Sequence, residues 1–361
     1  KSWWSKQSKG YEEFVFTNRT HLAKFSAGIA QRRLFNLFNL LQNQHELITT
    51  VDTQRIEVNM LVMQEKTQIK RPKGVNVLGF ISGILGLGEA ARAMILGLLA
   101  GDSKKWPLEL IDLRLPQLPL DHDKTFGNFK TDFQYGINLT MLNPGEQDYA
   151  VREFGVSKFQ GRYNIGLWYW ELVDVMPEWR PGSRLIDELW VTTNYIFDNV
   201  VHFARVPVHK VTIPIVIDEL KVSTARAPFG LPENTFLFVF AFDHNSIMSR
   251  KNPMSVIEAY RLAFGDRKDV GLVVKTINSD KQPQRQHALN EAIKDLNAFI
   301  VDGELDRYQT LSLYSACNSY VSLHRAEGLG LAMAESMYLG KPVIATGYSG
   351  NMEFMNHYNS L

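Results

Sequence analysis

The chain has 361 residues, of which 45% are hydrophobic and 21% are charged. That composition is typical of a globular protein, and the length predicts two domains or slightly more. The formal net charge of +1 does not indicate nucleic acid as the main partner, and the single cysteine, Cys317, excludes an internal disulfide. Because no apolar run approaches the roughly 18 residues of a membrane span and no signal peptide is visible, we expect a cytoplasmic protein.

Residues 1–70 differ from the rest of the chain, and we interpret them as a helical leader. Aromatic side chains from Trp3 to Phe16 are interleaved with lysines, which fits either peripheral contact with a membrane or the packed tail of a preceding domain. Apolar residues then recur at spacings of three and four from Leu37 to Leu61. This pattern predicts either a short coiled coil that dimerises or one amphipathic helix against the globular body.

Residues 71–214 alternate between predicted strands and helices, which indicates a doubly wound, Rossmann-like α/β domain with a parallel sheet. A glycine-rich loop, residues 82–89, separates the first strand from the first helix. Strands are predicted at 75–81, 108–111, 163–170, 188–193 and 208–213, and helices at 90–100, 177–187 and 195–204.

A second Rossmann-like domain is predicted over residues 215–361. Strands are expected at 236–242, 270–275, 299–301, 320–323 and 343–346, and helices at 253 onward, 284–297, 305–316 and 331–339. A doubly wound domain would normally add a strand and a helix after the last loop. We therefore expect this domain to be incomplete and the chain to be part of a longer, multi-domain protein.

The richest chemical signal lies between Val321 and Met355. A buried strand leads into Glu327, a glycine loop (328–330) and a helix that carries Glu335 in its second turn. The N-terminus of a helix favours phosphate, and the glycines let a ligand approach the backbone. Since Glu335 could accept hydrogen bonds from ribose hydroxyls, the pattern suits a nucleotide sugar.

The spacing Glu327-x7-Glu335, with its flanking LHRAEGLGL, GKPVIAT and SGNMEFM, resembles the signature of retaining GT-B glycosyltransferases of family 4. The resemblance covers roughly residues 75–361. It implies two Rossmann-like domains that face a cleft, with an acceptor domain first and a nucleotide-sugar donor domain second. It also implies transfer of a sugar to a glycan or lipid-linked acceptor, as in bacterial surface-polysaccharide synthesis.

The same resemblance implies roles for individual residues. Lys251, with Arg250, would stabilise the leaving diphosphate, and Glu327 would lie near the donor sugar; whether Glu327 is a nucleophile stays open. No metal is required if these cations neutralise the diphosphate. The other expected donor-binding residues are Glu335, Gly328, Leu329, Gly330, His324, Ser349, Gly350 and Asn351. The expected acceptor or cleft residues are Gly83, Gly86, Gly88, Glu89, Arg92 and Glu171.

A rival interpretation rests on Gly86-x-Gly88-x-x-Ala91, which fits the dinucleotide fingerprint, with Asp112 at the end of the second strand. It predicts an NAD(P)-dependent oxidoreductase. Several residues separate the first strand from Gly86, and the oxidoreductase leaves the two glutamates unexplained. A third possibility is a non-catalytic nucleotide-binding module within a larger assembly.

Overall fold

The computed structural model describes residues 71–101, 104–114 and 123–361. The described chain divides into two compact units, residues 71–216 and 217–361. The predicted leader, its membrane contact and its dimerising helix lie outside the described residues. Within the described residues, no helix is long and apolar enough to cross a membrane.

The first unit contains a six-stranded parallel sheet in the order β2-β1-β3-β4-β5-β6. Because β1 lies between β2 and β3, the connections reverse direction there, and the loops after β1 and β3 lie at a switch point. Its strands are β1 Val75–Gly79, β2 Leu108–Asp112, β3 Ile137–Thr140, β4 Tyr163–Leu167, β5 Glu188–Val191 and β6 Val208–Lys210. Its α-helices are α1 Gly86–Leu99, α2 Pro144–Phe154 and α3 Asn194–Val200.

A row of buried asparagines joins three neighbouring strands of this sheet. Asn76 donates to Asn138 Oδ1 at 2.7 Å, and Asn138 donates to Asn164 Oδ1 at 2.8 Å. These residues are also register partners across β1, β3 and β4. Because a slip in register would leave buried amides unpaired, the row favours one alignment of the three strands.

The second unit contains a five-stranded parallel sheet in the order β11-β10-β7-β8-β9. Here the reversal lies between β7 and β10, so the loops after these two strands meet at the switch point. Its strands are β7 Phe236–Asp243, β8 Val270–Ile277, β9 Ala298–Asp302, β10 Ser319–Ser322 and β11 Val343–Ala345. Its α-helices are α4 Met248–Lys251, α5 Pro253–Phe264, α6 Pro283–Ile293, α7 Arg307–Ala316 and α8 Leu331–Tyr338.

The predicted alternation of strands and helices is confirmed, with corrections in both units. Strand β3, helix α2 and the short helix α4 were not predicted, and helix α1 begins at Gly86, inside the predicted glycine-rich loop. The strand predicted at 163–170 ends at Leu167, and the helix predicted at 177–187 is a 3-10 helix, Pro177–Arg184. Cys317 is buried in the second unit, and burial raises the pKa of its thiol to about 12.

Candidate functional site

Two loops at the switch point of the second unit bring opposite charges together. Helix α4 follows β7 and carries Arg250 and Lys251, whereas Glu327 follows β10. Lys251 Nζ lies 2.6 Å from Glu327 Oε1, and Arg250 Nη1 lies 3.1 Å from Glu327 Oε2. The structure therefore groups three residues that were all predicted as catalytic, although Lys251 and Glu327 are 76 positions apart in sequence.

This cluster is largely shielded from solvent, so its charges interact strongly. The side chains of Arg250 and Glu327 are 8% and 11% exposed. Burial raises the pKa of the Glu327 carboxyl, but the charges of Lys251 and Arg250 outweigh that effect and hold the pKa below its ordinary value. Glu327 is therefore an ionised carboxylate at neutral pH, held by two cations.

The backbone beside this cluster is fixed by a close approach of two loops. The N–H of Glu327 donates to Ser349 Oγ at 2.8 Å, and the N–H of Gly350 donates to the Glu327 carbonyl at 2.8 Å. A Cβ added to Gly350 would lie 2.0 Å from the carbonyl oxygen of Gly328. Only glycine therefore fits at position 350, and the two loops flank the start of α8 as one unit.

Helix α8 begins at this point. Gly330, its N-cap, has a φ of +86°, a left-handed conformation that glycine adopts without strain. Leu331 follows directly, so Gly328, Leu329 and Gly330 form the entry to the helix. Because the first N–H groups of a helix have no partners within it, this end suits an anion.

His324 joins the end of β10 to the loop after β11, which contains Tyr348 and Asn351. Its ring is 1% exposed. Nε2 lies 3.2 Å from the Tyr348 carbonyl and 3.1 Å from Asn351 Oδ1, while Nδ1 lies 3.0 Å from Ser322 Oγ. Both partners of Nε2 are acceptors, so the ring carries a proton on that nitrogen. In this structure His324 and Asn351 brace the loop that contacts Glu327.

Glu335 lies in the second turn of α8 and pairs with a residue that sequence reasoning missed. Arg307 Nη1 lies 2.6 Å from Glu335 Oε1, and the two side chains are 13% and 7% exposed. The pattern Asp306-x-x-Gln309 marks the start of α7, since it fits a capping box that the structure contains. That signal places Arg307 in the first turn of α7, but only the tertiary packing brings it to Glu335.

Asn252 occupies the N-cap position of α5 but makes no capping bond to the backbone. Its side chain donates to the Leu323 carbonyl at 2.7 Å and accepts from Ser255 Oγ. Asn252 has a φ of +56°, which turns the chain directly from α4 into α5. It therefore links the loop of the cations to the end of β10.

In the first unit, the side chain of Arg92 forms hydrogen bonds with the backbone of the glycine-rich loop. Arg92 is 2% exposed, and its Nη1 donates to the carbonyls of Ile81 and Gly83 at 2.7 and 2.9 Å. Glu89 lies 2.8 Å from the Arg92 Nη2 atom. Arg92 was predicted as an acceptor or cleft residue; in this structure its guanidinium holds the backbone of the loop, and the acceptor role stays a prediction.

The aromatic segment after β4 belongs to the core of the first unit. Trp168 and Trp170 are 0% and 8% exposed and pack edge-on against Trp179. Glu171 follows them, and its carbonyl accepts a hydrogen bond from the Tyr195 hydroxyl at 3.2 Å. The structure thus places Glu171 after a strand end, as expected, but its acceptor role stays a prediction.

The residues of the dinucleotide fingerprint do not form an open site in this structure. Asp112 accepts hydrogen bonds from both the backbone N–H and the hydroxyl of Ser82. Its carboxylate therefore stabilises the first turn of the glycine-rich loop. Gly86 is the first residue of α1, seven positions after the end of β1 at Gly79, whereas the fingerprint requires strand and glycines in close succession.

Residues 223–360 match the family model "Glycosyl transferases group 1". No curated protein matches the chain. The fingerprint of the oxidoreductase finds no support in the match, and the predicted enzyme class, a glycosyltransferase, is confirmed.

Two solved structures resemble the chain in fold. The crystal structure of Anabaena HepE in complex with UDP and glucose aligns with a TM-score of 0.51 and 13% identity, over 79% of this chain and 84% of that one. Sucrose-phosphate synthase from Thermosynechococcus elongatus aligns with a TM-score of 0.52 and 14% identity, over 77% of this chain and 82% of that one. The predicted fold, two Rossmann-like domains of the GT-B class, is confirmed.

Proposed function

We propose that this glycosyltransferase moves a sugar from a nucleotide-sugar donor to a glycan or lipid-linked acceptor with retention of configuration, in the synthesis of cell-surface polysaccharide. The observation that carries the donor assignment is the cluster of Arg250, Lys251 and Glu327 beside the start of α8. Cations, free helix N–H groups and a close-packed glycine loop converge there, which is the arrangement that binds a diphosphate.

Transfer of the sugar breaks its bond to the diphosphate, so negative charge develops on the leaving oxygen. Arg250 and Lys251 are fixed by their contacts with Glu327 before the donor binds. A charge that is already in place stabilises the developing negative charge without reorganisation. The start of α8 adds partial positive charge to the same leaving group.

Glu327 has a different role in this scheme. Its carboxylate is ionised and holds both cations, so we assign it to orienting the donor sugar and stabilising positive charge on that sugar. Both oxygens of Glu327 are engaged with cations, at 2.6 and 3.1 Å, and such ion pairs lower the nucleophilicity of a carboxylate. The geometry therefore favours electrostatic stabilisation by Glu327 over double displacement.

Glu335 would accept hydrogen bonds from the ribose hydroxyls of the donor, one helical turn beyond the diphosphate.

That no metal is needed stays a prediction, which rests on the two cations of α4. Within the described residues, no group of three or more His, Cys, Asp or Glu side chains could hold a metal ion. We place the reaction in the cytoplasm, with the inner face of the membrane as the alternative for a lipid-linked acceptor.

Calorimetric titration with UDP, GDP, ADP and NADH tests the donor assignment. UDP is the first nucleotide to try, because HepE binds it in the same fold. We expect one nucleoside diphosphate to bind, and Glu335→Ala to weaken its binding by about 10- to 100-fold, since a buried carboxylate–hydroxyl bond contributes roughly 1.5–3 kcal/mol. Glu291→Ala, which removes an exposed glutamate on α6, is the control. Binding of NADH alone would contradict this proposal and would favour the NAD(P)-dependent oxidoreductase.

A further inference from the structure

The ion pair between Arg307 and Glu335 joins the first turn of α7 to the second turn of α8. Arg307 is held at its position by the capping box of α7: Gln309 N–H donates to Asp306 Oδ1 at 2.8 Å, and Asp306 N–H donates to Gln309 Oε1 at 2.9 Å. The arginine therefore projects from a fixed helix start rather than from a mobile loop.

Both members of the pair are mostly buried, at 13% and 7% exposure of their side chains. A carboxylate in that environment needs a partner, because an isolated buried charge is costly. A surface pair such as Arg261 with Glu258, at 41% and 55% exposure, contributes little by comparison. Arg307 thus fixes both the charge and the direction of the Glu335 carboxylate.

We propose that Arg307 is a positioning residue for recognition of the donor's ribose. This inference rests on the proposed function, in which Glu335 accepts hydrogen bonds from ribose hydroxyls. A carboxylate offers about four lone-pair directions, so it can bind a guanidinium and hydroxyls together. By holding Glu335 in one orientation, Arg307 makes the site selective for ribonucleoside over 2′- or 3′-deoxyribonucleoside diphosphates.

A purely structural role would give a different result. If the pair only joined α7 to α8, its loss would lower stability and weaken all nucleotides equally. If Arg307 positions Glu335, its loss weakens the hydrogen bond that Glu335 accepts from a ribose hydroxyl. A deoxynucleotide lacks that hydroxyl and is not affected in this way, so the ratio of ribo- to deoxynucleotide affinity falls. The ratio of the two affinities therefore separates positioning from general support.

The experiment measures calorimetric affinities of UDP, GDP and ADP and of their 2′- and 3′-deoxy forms for the full chain. The variants are Arg307→Gln, Arg307→Lys and Glu335→Gln, with Arg261→Gln as a matched arginine from an exposed helical pair. For the nucleotide that binds, we expect the wild type to prefer the ribose form about tenfold or more. Arg307→Gln and Glu335→Gln should bring that ratio below about three, while Arg261→Gln leaves it unchanged.

Arg307→Lys keeps the charge but lacks the planar fork, so we expect an intermediate ratio. Arg307→Lys also tests the proposal if Arg307→Gln does not fold. A ratio for Arg307→Lys below that of the wild type supports the proposal, whereas a ratio equal to that of the wild type overturns it. A wild-type ratio in Arg307→Gln, with a lowered ratio in Glu335→Gln, would overturn the role of Arg307 and leave the proposed function intact. Failure of the wild type to bind or to discriminate would overturn both.

Discussion

The charged side chains near the carboxyl ends of the strands have different kinds of partner in the two units. In the first unit, Arg92 and Asp112 bond to the backbone of the glycine-rich loop beside them. In the second unit, Arg250 and Lys251 of one loop reach Glu327 of another, and Arg307 of one helix reaches Glu335 of the next. Charges of the first kind maintain a turn, whereas those of the second kind bridge elements at the sheet's switch point.

This difference shows why two glycine loops of similar appearance should not be interpreted alike. In the second unit, Arg250 and Lys251 are paired with the Glu327 carboxylate, which a diphosphate can join or replace. The guanidinium of Arg92 pairs with the Glu89 carboxylate but also donates to the carbonyls of Ile81 and Gly83, and its removal would leave those carbonyls without this donor. Contacts of a charged group, rather than its presence in a glycine-rich loop, therefore distinguish a binding site from a structural turn.

The largest effect should follow from Lys251→Met. If Lys251 stabilises the leaving diphosphate, its loss should lower turnover of the donor by about 10²–10³-fold, as removal of one preorganised group does in other active sites. The measurement is release of nucleoside diphosphate from the donor under saturating conditions. Lys268→Met, at an exposed position before β8, controls for the loss of one positive charge. A rate within threefold of the wild type would remove Lys251 from the catalytic group.

Much of the second unit could be predicted because its strands are continuous apolar runs. Strand β7, Phe236–Asp243, is an example: it lies at the centre of its sheet, and of its eight residues four are buried and only Phe236 is exposed. The grouping of Glu327 with Lys251 was also predicted, but only through the family resemblance. Composition and periodicity alone do not relate residues that are 76 positions apart.

Strand β3 and the Arg307–Glu335 pair were missed for a shared physical reason. Strand β3, Ile137–Thr140, has four residues and includes a buried asparagine. Asn138 is tolerated there because Asn76 and Asn164 satisfy it from neighbouring strands. Arg307 likewise finds Glu335 only after α7 and α8 have packed. Polar residues paired across elements have no periodic signal in the sequence.

A stability comparison within the first unit should give an intermediate effect. A Cβ added to Gly88 would lie 2.2 Å from the Gly83 carbonyl oxygen and 2.8 Å from that of Phe80, whereas one added to Gly86 would meet nothing within 4 Å. We therefore expect Gly88→Ala to lower the free energy of unfolding by about 1–3 kcal/mol, and Gly86→Ala to be neutral or stabilising by up to about 1 kcal/mol. Denaturant unfolding of both variants measures the difference, and equal stabilities would show that the loop does not need the close approach at Gly88.

The smallest effect is a difference in acid sensitivity that arises from Glu327. Its pKa lies below the ordinary value of 4.5 because of Lys251 and Arg250, which outweigh burial. The stabilisation from this ionised carboxylate is therefore fully present above about pH 4.5 and is lost as the pH falls through the lower folded-state pKa. We expect Glu327→Gln to be less stable than the wild type at pH 6, and this gap to shrink as the pH falls below about 4.5, because the wild-type carboxyl then takes up its proton in the unfolded chain before it does so in the folded protein. Denaturant unfolding at each pH measures the gap, with Glu258→Gln as an exposed control. A gap that stays constant over this range would mean that Glu327 is not held ionised by its two cations.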